Sequence, residues 1–276
     1  MVATASDTRA GPAVVTGGSS GIGLAVALRL ARLGHPVALL ARRQNLLEAA
    51  AGAIADAVPG ARVSWHAVDV RDAEAVATAI DAVVADHGPI AWLVTSAGIA
   101  EPGLFAEQPL DTHRAQFEVN YFGTLAAVHA AVPSMRAVGG GRIVLVSSGA
   151  GLFGIHGYSA YAPSKFAVRG LAEVLRVELA GDGVSVTLAL PPDTATPQLE
   201  AEKRTKPAAT AAITGTAGTW SADAVAAAMI DAARAGRFLV APGLTLGFLA
   251  RFHSLLAPLL RLHQRRIVHR FERRRP

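Results

Sequence analysis

Apolar residues along this chain fall into two kinds of segment. Short segments dominated by apolar residues, rich in valine and leucine, occupy 14–16, 37–41, 63–68, 92–95, 143–147, 184–190 and 238–240, and each reads as a strand. Between them, apolar residues recur at three- and four-residue steps over 21–33, 44–57, 72–86, 111–137, 159–181 and 221–235, the spacing of a helix that buries one face. A run such as Ile143-Val144-Leu145-Val146 has no polar residue at alternate positions, so the strand is expected to be covered on both faces. Strand and helix alternate along the chain. That order predicts an α/β fold, a doubly wound parallel sheet of about seven strands with helices on both sides. The rhythm breaks over 191–219, which is rich in Pro, Thr and Ala.

The pattern changes again after residue 242. Leu246, Phe248, Leu249, Phe252, Leu255, Leu256, Leu259 and Leu260 form an apolar helical stripe, which Pro258 is expected to kink or divide into two helices. An arginine cluster follows at Arg265, Arg266, Arg270, Arg273, Arg274 and Arg275. Residues 242–276 carry a net charge of +7 and the remainder −2, so the chain's +5 belongs to its tail. An apolar stripe beside a basic cluster has the make-up of a peripheral membrane anchor. The same stripe equally suits a helix packed on the domain or on a partner subunit. No nucleic-acid recognition fold accompanies the arginines, so no nucleic-acid partner is expected. The expected organisation is a polar N-terminal tail over 1–11, one domain over 12–242 and a helical C-terminal tail over 243–276. The chain has no cysteine, which excludes disulfides and thiolate metal sites and fits a reducing cytoplasm. Residues 143–164 lack Asp, Glu, Lys and Arg, but Gly, Ser and Tyr crowd them, so they read as strand, loop and helix start rather than a membrane span. The N-terminus has no apolar run and is not a secretory signal. His263 and His269 lack metal-ligand spacing, and no metal is expected.

Two motifs carry the chemistry. The first strand runs into Thr16-Gly17-Gly18-Ser19-Ser20-Gly21-Ile22-Gly23 and then into a helical segment. Glycines in a strand–turn–helix context allow a tight turn and close backbone approach to a pyrophosphate, whose charge the helix N-terminus favours. This predicts a Rossmann-type dinucleotide site. The second strand ends Ala41-Arg42-Arg43, where NAD sites place an acid for the ribose 2′-hydroxyl. A missing acid and two guanidiniums favour a 2′-phosphate, with a hydroxyl from Ser19, so NADP(H) is the expected cofactor. The alternative is two solvated arginines at a strand end. In the second motif, Tyr161 and Lys165 stand four residues apart on one helix face, with Ser148 thirteen residues upstream of Tyr161. A phenol titrates near ~10. An adjacent ammonium is expected to lower that value and make Tyr161 a proton shuttle for a carbonyl oxygen, with Ser148 bonded to the same oxygen.

Together these motifs resemble the short-chain dehydrogenase/reductase family over about residues 12–242. The resemblance implies that Ser148, Tyr161 and Lys165 perform proton transfer. It also implies that Asn120, in Val119-Asn120-Tyr121-Phe122-Gly123, holds the water that replenishes the proton. It places the cofactor on Gly17, Ser19, Ser20, Gly21, Ile22 and Gly23, on Asp69 and Val70 after the third strand, and on Ala97 and Gly98 after the fourth. Asp69 is implied to contact adenine; a helix N-cap is its other reading. The family's Asn-Asn-Ala-Gly is here Thr95-Ser96-Ala97-Gly98, and the two hydroxyls are expected to replace the asparagine that braces the sheet. Leu46 stands where relatives can carry a phosphate-binding lysine, and Arg43 is expected to take that load.

Segments 151–161 and 163–173, Pro191-Pro192-Asp193-Thr194 and Thr205-Lys206-Pro207 are similar to one branch of the family, the 3-ketodihydrosphingosine (3-ketosphinganine) reductases. That resemblance implies NADPH-dependent reduction of a long-chain amino ketone, with Thr194 and Thr196 near the nicotinamide and pyrophosphate and 191–219 as a mobile cover. It also implies self-association as a dimer or tetramer. Asp193 is a candidate partner for the substrate amine; its other reading is a loop aspartate bonded to its own backbone. Two alternatives remain open. One is a relative acting on a 3-oxoacyl thioester or steroid-like ketone. The other is a sensor that holds NADPH without turnover, against which an intact Ser148, Tyr161, Lys165 and Asn120 argue.

Overall fold

A computed structural model of the chain describes residues 11–215 and 218–273. Arg274, Arg275 and nearly all of the expected N-terminal tail lie outside the described residues. Seven strands form one sheet: β1 (Ala13–Thr16), β2 (Val37–Ala41), β3 (Val63–Ala67), β4 (Trp92–Thr95), β5 (Gly141–Val146), β6 (Val184–Ala189) and β9 (Leu239–Val240). Their order is β3-β2-β1-β4-β5-β6-β9, and every pairing is parallel. The reversal of order between β1 and β4 opens a crevice at the strands' carboxyl ends, where Thr16 pairs with Thr95.

Two hydrophobic layers account for the unbroken apolar runs. Val14 and Leu93 face one layer, against α3 (Ala73–His87), α5 (Gly123–Ala137) and α6 (Tyr161–Glu178). Their neighbours Val15 and Val94 face the other, against α1 (Gly21–Arg32), α2 (Gln44–Ala57) and α9 (Ala222–Arg234). Each such fully buried side chain stabilises the fold by about 1.5–3 kcal/mol. Apolar residues therefore dominate β1, β2, β4 and β5.

The helix expected over 111–137 is present, but it contains a wide turn. α4 (Leu110–Phe117) and α5 are joined by a π-helical turn, Glu118–Phe122, which carries Asn120. The stretch after β6 folds into β7 (Thr194–Ala195), α7 (Pro197–Glu202) and α8 (Ala208–Thr214), with β7 paired to β8 (Trp220–Ser221).

Two expected boundaries move. Gly11 belongs to the packed body: it is buried, its carbonyl accepts a 2.9 Å hydrogen bond from the His35 ring, and a Cβ there would meet Pro89 O at 2.7 Å. α10 (Leu244–Glu272) runs through Pro258 and breaks instead at Phe252 (φ −115°, ψ 19°). Pro258 lacks the N–H that would reach Ser254 O, four residues back, so the break at Phe252 lies beyond the turn it crowds. The His253 ring lies 3.2 Å from Ala250 O and stabilises the break. Among the described residues, no helix is long and apolar enough to cross a membrane.

Candidate active site

The crevice opens into a single cavity of about 400 Å³, walled by the strand ends and loops on one side and by residues of 191–214 and α10 on the other. Its walls include Gly17, Ser19, Ser20, Gly21, Ile22, Arg42, Arg43, Asp69, Val70, Ala97 and Gly98 from the expected cofactor set. They also include Ser148, Tyr161, Lys165, Thr194 and Thr196. Gly23 and Asn120 do not line it.

The glycine turn is shaped by contact as well as by torsion. Gly17 has φ +69°, and a Cβ there would strike Ala97 N at 2.7 Å. Gly21 has φ +55° and packs under Thr196, whose Cγ2 would meet a Cβ at 3.0 Å. The segment after β6 thus touches the turn directly. Gly23 works from outside the cavity: a Cβ there would collide with Gly17 O, so it lets α1 pack close to the turn. The brace for the loop after β4 comes from β1. Thr16 Oγ1 accepts from Ala97 N at 3.2 Å, whereas Thr95 Oγ1 is buried with no partner among the described residues. The expected role of Thr95 is therefore filled by Thr16, whose register against Thr95 brings its hydroxyl beneath the loop.

At the far end of the crevice Arg42 and Arg43 are exposed beside Ala41, and all three border the cavity. Asp69 is not a helix cap. Asp72 caps α3 by accepting from Ala75 N, while Asp69 accepts from Arg71 Nη2 at 2.7 Å and Nε at 3.0 Å. The Arg71 hydrogen bond holds the Asp69 carboxyl below its ordinary range. A dinucleotide with a 2′-phosphate fits these walls, because the turn leaves backbone exposed at Gly17 and Gly21 and the adenosine end offers guanidiniums in place of an acid.

At the reactive end, α6 begins at Tyr161 and puts Lys165 one turn later, both buried. Lys165 Nζ donates to Val146 O at 3.1 Å and lies 5.7 Å from the Tyr161 ring centroid. Burial lowers the Lys165 pKa to about 8. Burial also raises the Tyr161 pKa, assisted by the charges of Glu202 and Asp193 and opposed by a hydrogen bond with Ser148. The expected lowering of Tyr161 by Lys165 is thus overturned in direction. Desolvation of a phenolate outweighs the pull of an ammonium whose own charge burial disfavours. Ser148 lies two residues past β5 and caps the turn that follows, accepting from Ala150 N at 3.1 Å.

Asn120 is fully buried and serves as a clamp. Its Oδ1 accepts from Ile99 N at 2.8 Å, and its Nδ2 donates to Ile99 O at 3.0 Å and Ser164 Oγ at 2.9 Å. Both amide hydrogens are committed, so the side chain has no donor left for a relay water. The π turn aims the amide across at the loop after β4, joining that loop to α6.

Glu202 and Gln264 line the cavity but were not singled out by the sequence. Glu202 is buried, accepts from the Tyr158 hydroxyl at 3.0 Å and faces Lys206 Nζ at 3.5 Å. Its only sequence signal is the four-residue step to Lys206. Asp193 turns away from its own backbone toward Lys206 Nζ, at 3.9 Å. From α10, Leu246, Leu249, Leu260, His263 and Gln264 reach the cavity. Gln264 pins the loop after Ser148 by accepting from His156 N at 3.1 Å and donating to Gly154 O at 3.0 Å. α10 is apolar on two sides. Leu246 and Ala250 enter the core, while Leu244, Phe248, Phe252, Leu255, Leu259 and Leu262 form an exposed stripe.

Known proteins resemble this chain in sequence and fold. Residues 12–207 match the short chain dehydrogenase family. A 3-dehydrosphinganine reductase of Arabidopsis thaliana is 40% identical over 229 residues, spanning 82% of this chain and 68% of the relative. One from Danio rerio is 39% identical over 228 residues, spanning 82% of this chain and 69% of the relative. Among solved structures, the L-sorbose reductase of Gluconobacter frateurii, complexed with NADPH and L-sorbose, superposes with a TM-score of 0.74 at 25% identity, over 85% of this chain and 96% of the other. Fold, glycine turn and sequence agree, and the chain belongs to the short-chain dehydrogenase family.

Proposed function

We propose that this protein reduces a long-chain amino ketone with NADPH, converting 3-ketosphinganine to sphinganine. The observation that carries the reading is one cavity in which the glycine turn, Arg42, Ser148, Tyr161 and Lys165 meet, closed by apolar residues of α10. Similarity to two 3-dehydrosphinganine reductases supports the substrate class. A nicotinamide cofactor bound along the glycine turn would supply the hydride to the carbonyl carbon. Ser148 polarises the carbonyl by donating to its oxygen. Tyr161 gives its phenolic proton to the alkoxide, and the Lys165 ammonium stabilises the phenolate left behind. A raised Tyr161 pKa suits this direction, because the donor keeps its proton until the alkoxide forms. Asn120 holds Ile99 and Ser164 in place and thereby steadies the loop beside the reacting groups. Residues 191–214 form the substrate cover.

NADPH oxidation with 3-ketosphinganine, set against a short 3-ketoester, tests this. Turnover of the long amino ketone in strong preference is expected; preference for the short ester, or NADPH binding without turnover of any ketone, rejects it. In the same assay Arg42→Ala is expected to raise the KM for NADPH about tenfold or more, as loss of a charge-assisted contact implies, with little change for NADH. An equal rise for both cofactors removes Arg42 from the 2′-phosphate.

The same reading places α10 on a membrane surface. Its exposed apolar stripe runs beside Arg251, Arg261, Arg265, Arg266 and Arg270, and Leu249 and Leu260 of the same helix line the cavity that must admit a lipid. Basic residues near an anionic leaflet each contribute about 1 kcal/mol, and the stripe adds apolar burial. The protein is expected to sediment with anionic phospholipid vesicles and to be released by salt. The double change Leu255→Glu with Leu259→Glu is expected to leave it in the supernatant. A wild-type protein that ignores such vesicles refutes the placement.

A further inference from the structure

The cavity wall beside Tyr161 carries more charge than carbonyl reduction requires. Asp193 and Glu202 both line it, and Lys206 stands behind them with its side chain 6% exposed. Lys206 is the ammonium that faces both acids, while Lys165, the cavity's other ammonium, donates to Val146 O at 3.1 Å. Lys206 does not satisfy either acid fully. Its Nζ is 3.5 Å from Glu202 Oε2 and 3.9 Å from Asp193 Oδ2, longer than the ~2.7–3.2 Å of a hydrogen bond. Glu202 is otherwise held by Tyr158 at 3.0 Å on Oε2 and by Gln198 at 3.2 Å on Oε1, so its carboxylate is fixed in direction. Asp193 accepts no side-chain hydrogen bond among the described residues. The nearby Lys203 is turned to Glu200 at 2.6 Å.

A desolvated carboxylate whose ion pairing is incomplete stabilises nothing by itself. A purely neutral ketone would gain little from such a wall. An ammonium on the carbon next to the reacting carbonyl would gain a great deal, provided its counter-charge stands within a side chain's breadth of the proton donor. The Tyr158 ring, which links Glu202 to the site, is 5.3 Å from the Tyr161 ring. Glu202 and Asp193 are also the two acids whose charge acts on the Tyr161 hydroxyl.

We propose that Glu202 and Asp193 form the docking site for the substrate's ammonium group, and that Lys206 is a resident counter-charge which the incoming ammonium displaces from between them. This rests on the amino-ketone reading above and makes Glu202 the residue that selects charged over neutral ketones. Lys206 stands between the two acids before substrate arrives. Its long contacts are the geometry expected of a partner that must yield.

The test compares 3-ketosphinganine with its N-acetyl derivative, which keeps the chain and ketone but loses the positive charge. Wild-type enzyme is expected to favour the free amine in kcat/KM. Glu202→Gln is expected to lower that preference about tenfold or more, from loss of one charge-assisted contact. Asp193→Asn, at a more exposed position, should lower it in the same direction with less risk to folding. Lys206→Met should increase the preference by lowering the KM for the amine. An unchanged ratio in both acid variants overturns the assignment, as does an equal loss on both ketones. A wild-type enzyme that reduces neither long-chain ketone, or only other ketones, rejects the substrate reading itself, which separates the two failures.

Discussion

Tyr161→Phe is expected to lower kcat about 10³-fold or more while changing NADPH affinity by no more than a small factor. General acid catalysis contributes about 10²–10⁴ in rate, and the proposed donor is one hydroxyl that hydrogen-bonds with Ser148 and stands one helical turn before Lys165. The phenyl ring of the variant keeps its packing against Tyr158 in the small cluster with Ala150 and Ala162, so the cavity retains its shape. Lys165 still reaches Val146 O, and the glycine turn lies outside the change. Binding should therefore persist where chemistry stops. Stopped-flow reduction with saturating ketone reads the chemical step, and fluorescence of bound NADPH reads affinity. A variant that keeps more than about a tenth of wild-type turnover would show that Ser148 or water can deliver the proton, and the donor assignment would fall.

The value of that test depends on which parts of the site were visible in the chain. The seven strands were legible because both faces of the sheet are covered, which forces runs such as Val37-Ala38-Leu39-Leu40 to be wholly apolar. The glycine turn was legible because Gly17 and Gly21 adopt left-handed torsions that leave a mark in the sequence. Tyr161 and Lys165 share a helix, so their spacing alone set them side by side. What stayed hidden depends on contacts between distant segments. Glu202 meets Tyr158 across 44 residues, and no local periodicity encodes that meeting. Gln264 reaches His156 across 108 residues, and the helical stripe alone, which suits a membrane, a partner or the domain equally, does not encode that contact. Thr16 replaced Thr95 as the brace because strand register, not residue type, decides whose hydroxyl lies under the loop. The direction of the Tyr161 shift was misread for the same reason: spacing reveals the neighbouring ammonium, whereas desolvation is a property of the finished fold.

Lys165→Met should separate function from stability in opposite directions. Loss of the ammonium removes the charge that stabilises the Tyr161 phenolate, and kcat is expected to fall about 10²-fold or more. The same substitution should make the protein harder to unfold. Burial holds the Lys165 pKa at about 8, below its ordinary 10.5. Below pH 8 the folded and unfolded chains both carry the proton, so the full cost of burying the charge is present. Between pH 8 and 10.5 the unfolded chain keeps a proton that the folded chain releases, and stability rises with pH. The depression corresponds to about 3 kcal/mol at neutral pH, partly offset in the variant by the lost bond to Val146 O. A rise in Tm of about 5 °C at pH 7 is expected for a chain of this length, shrinking toward zero as pH climbs through the window. The alkaline limb of the wild-type kcat profile should fall near pH 8, where Lys165 and not the more basic Tyr161 loses its proton. A variant that melts at or below the wild-type temperature at pH 7 would mean the ammonium is fully compensated where it sits. The fall in activity near pH 8 would then need another titrating group.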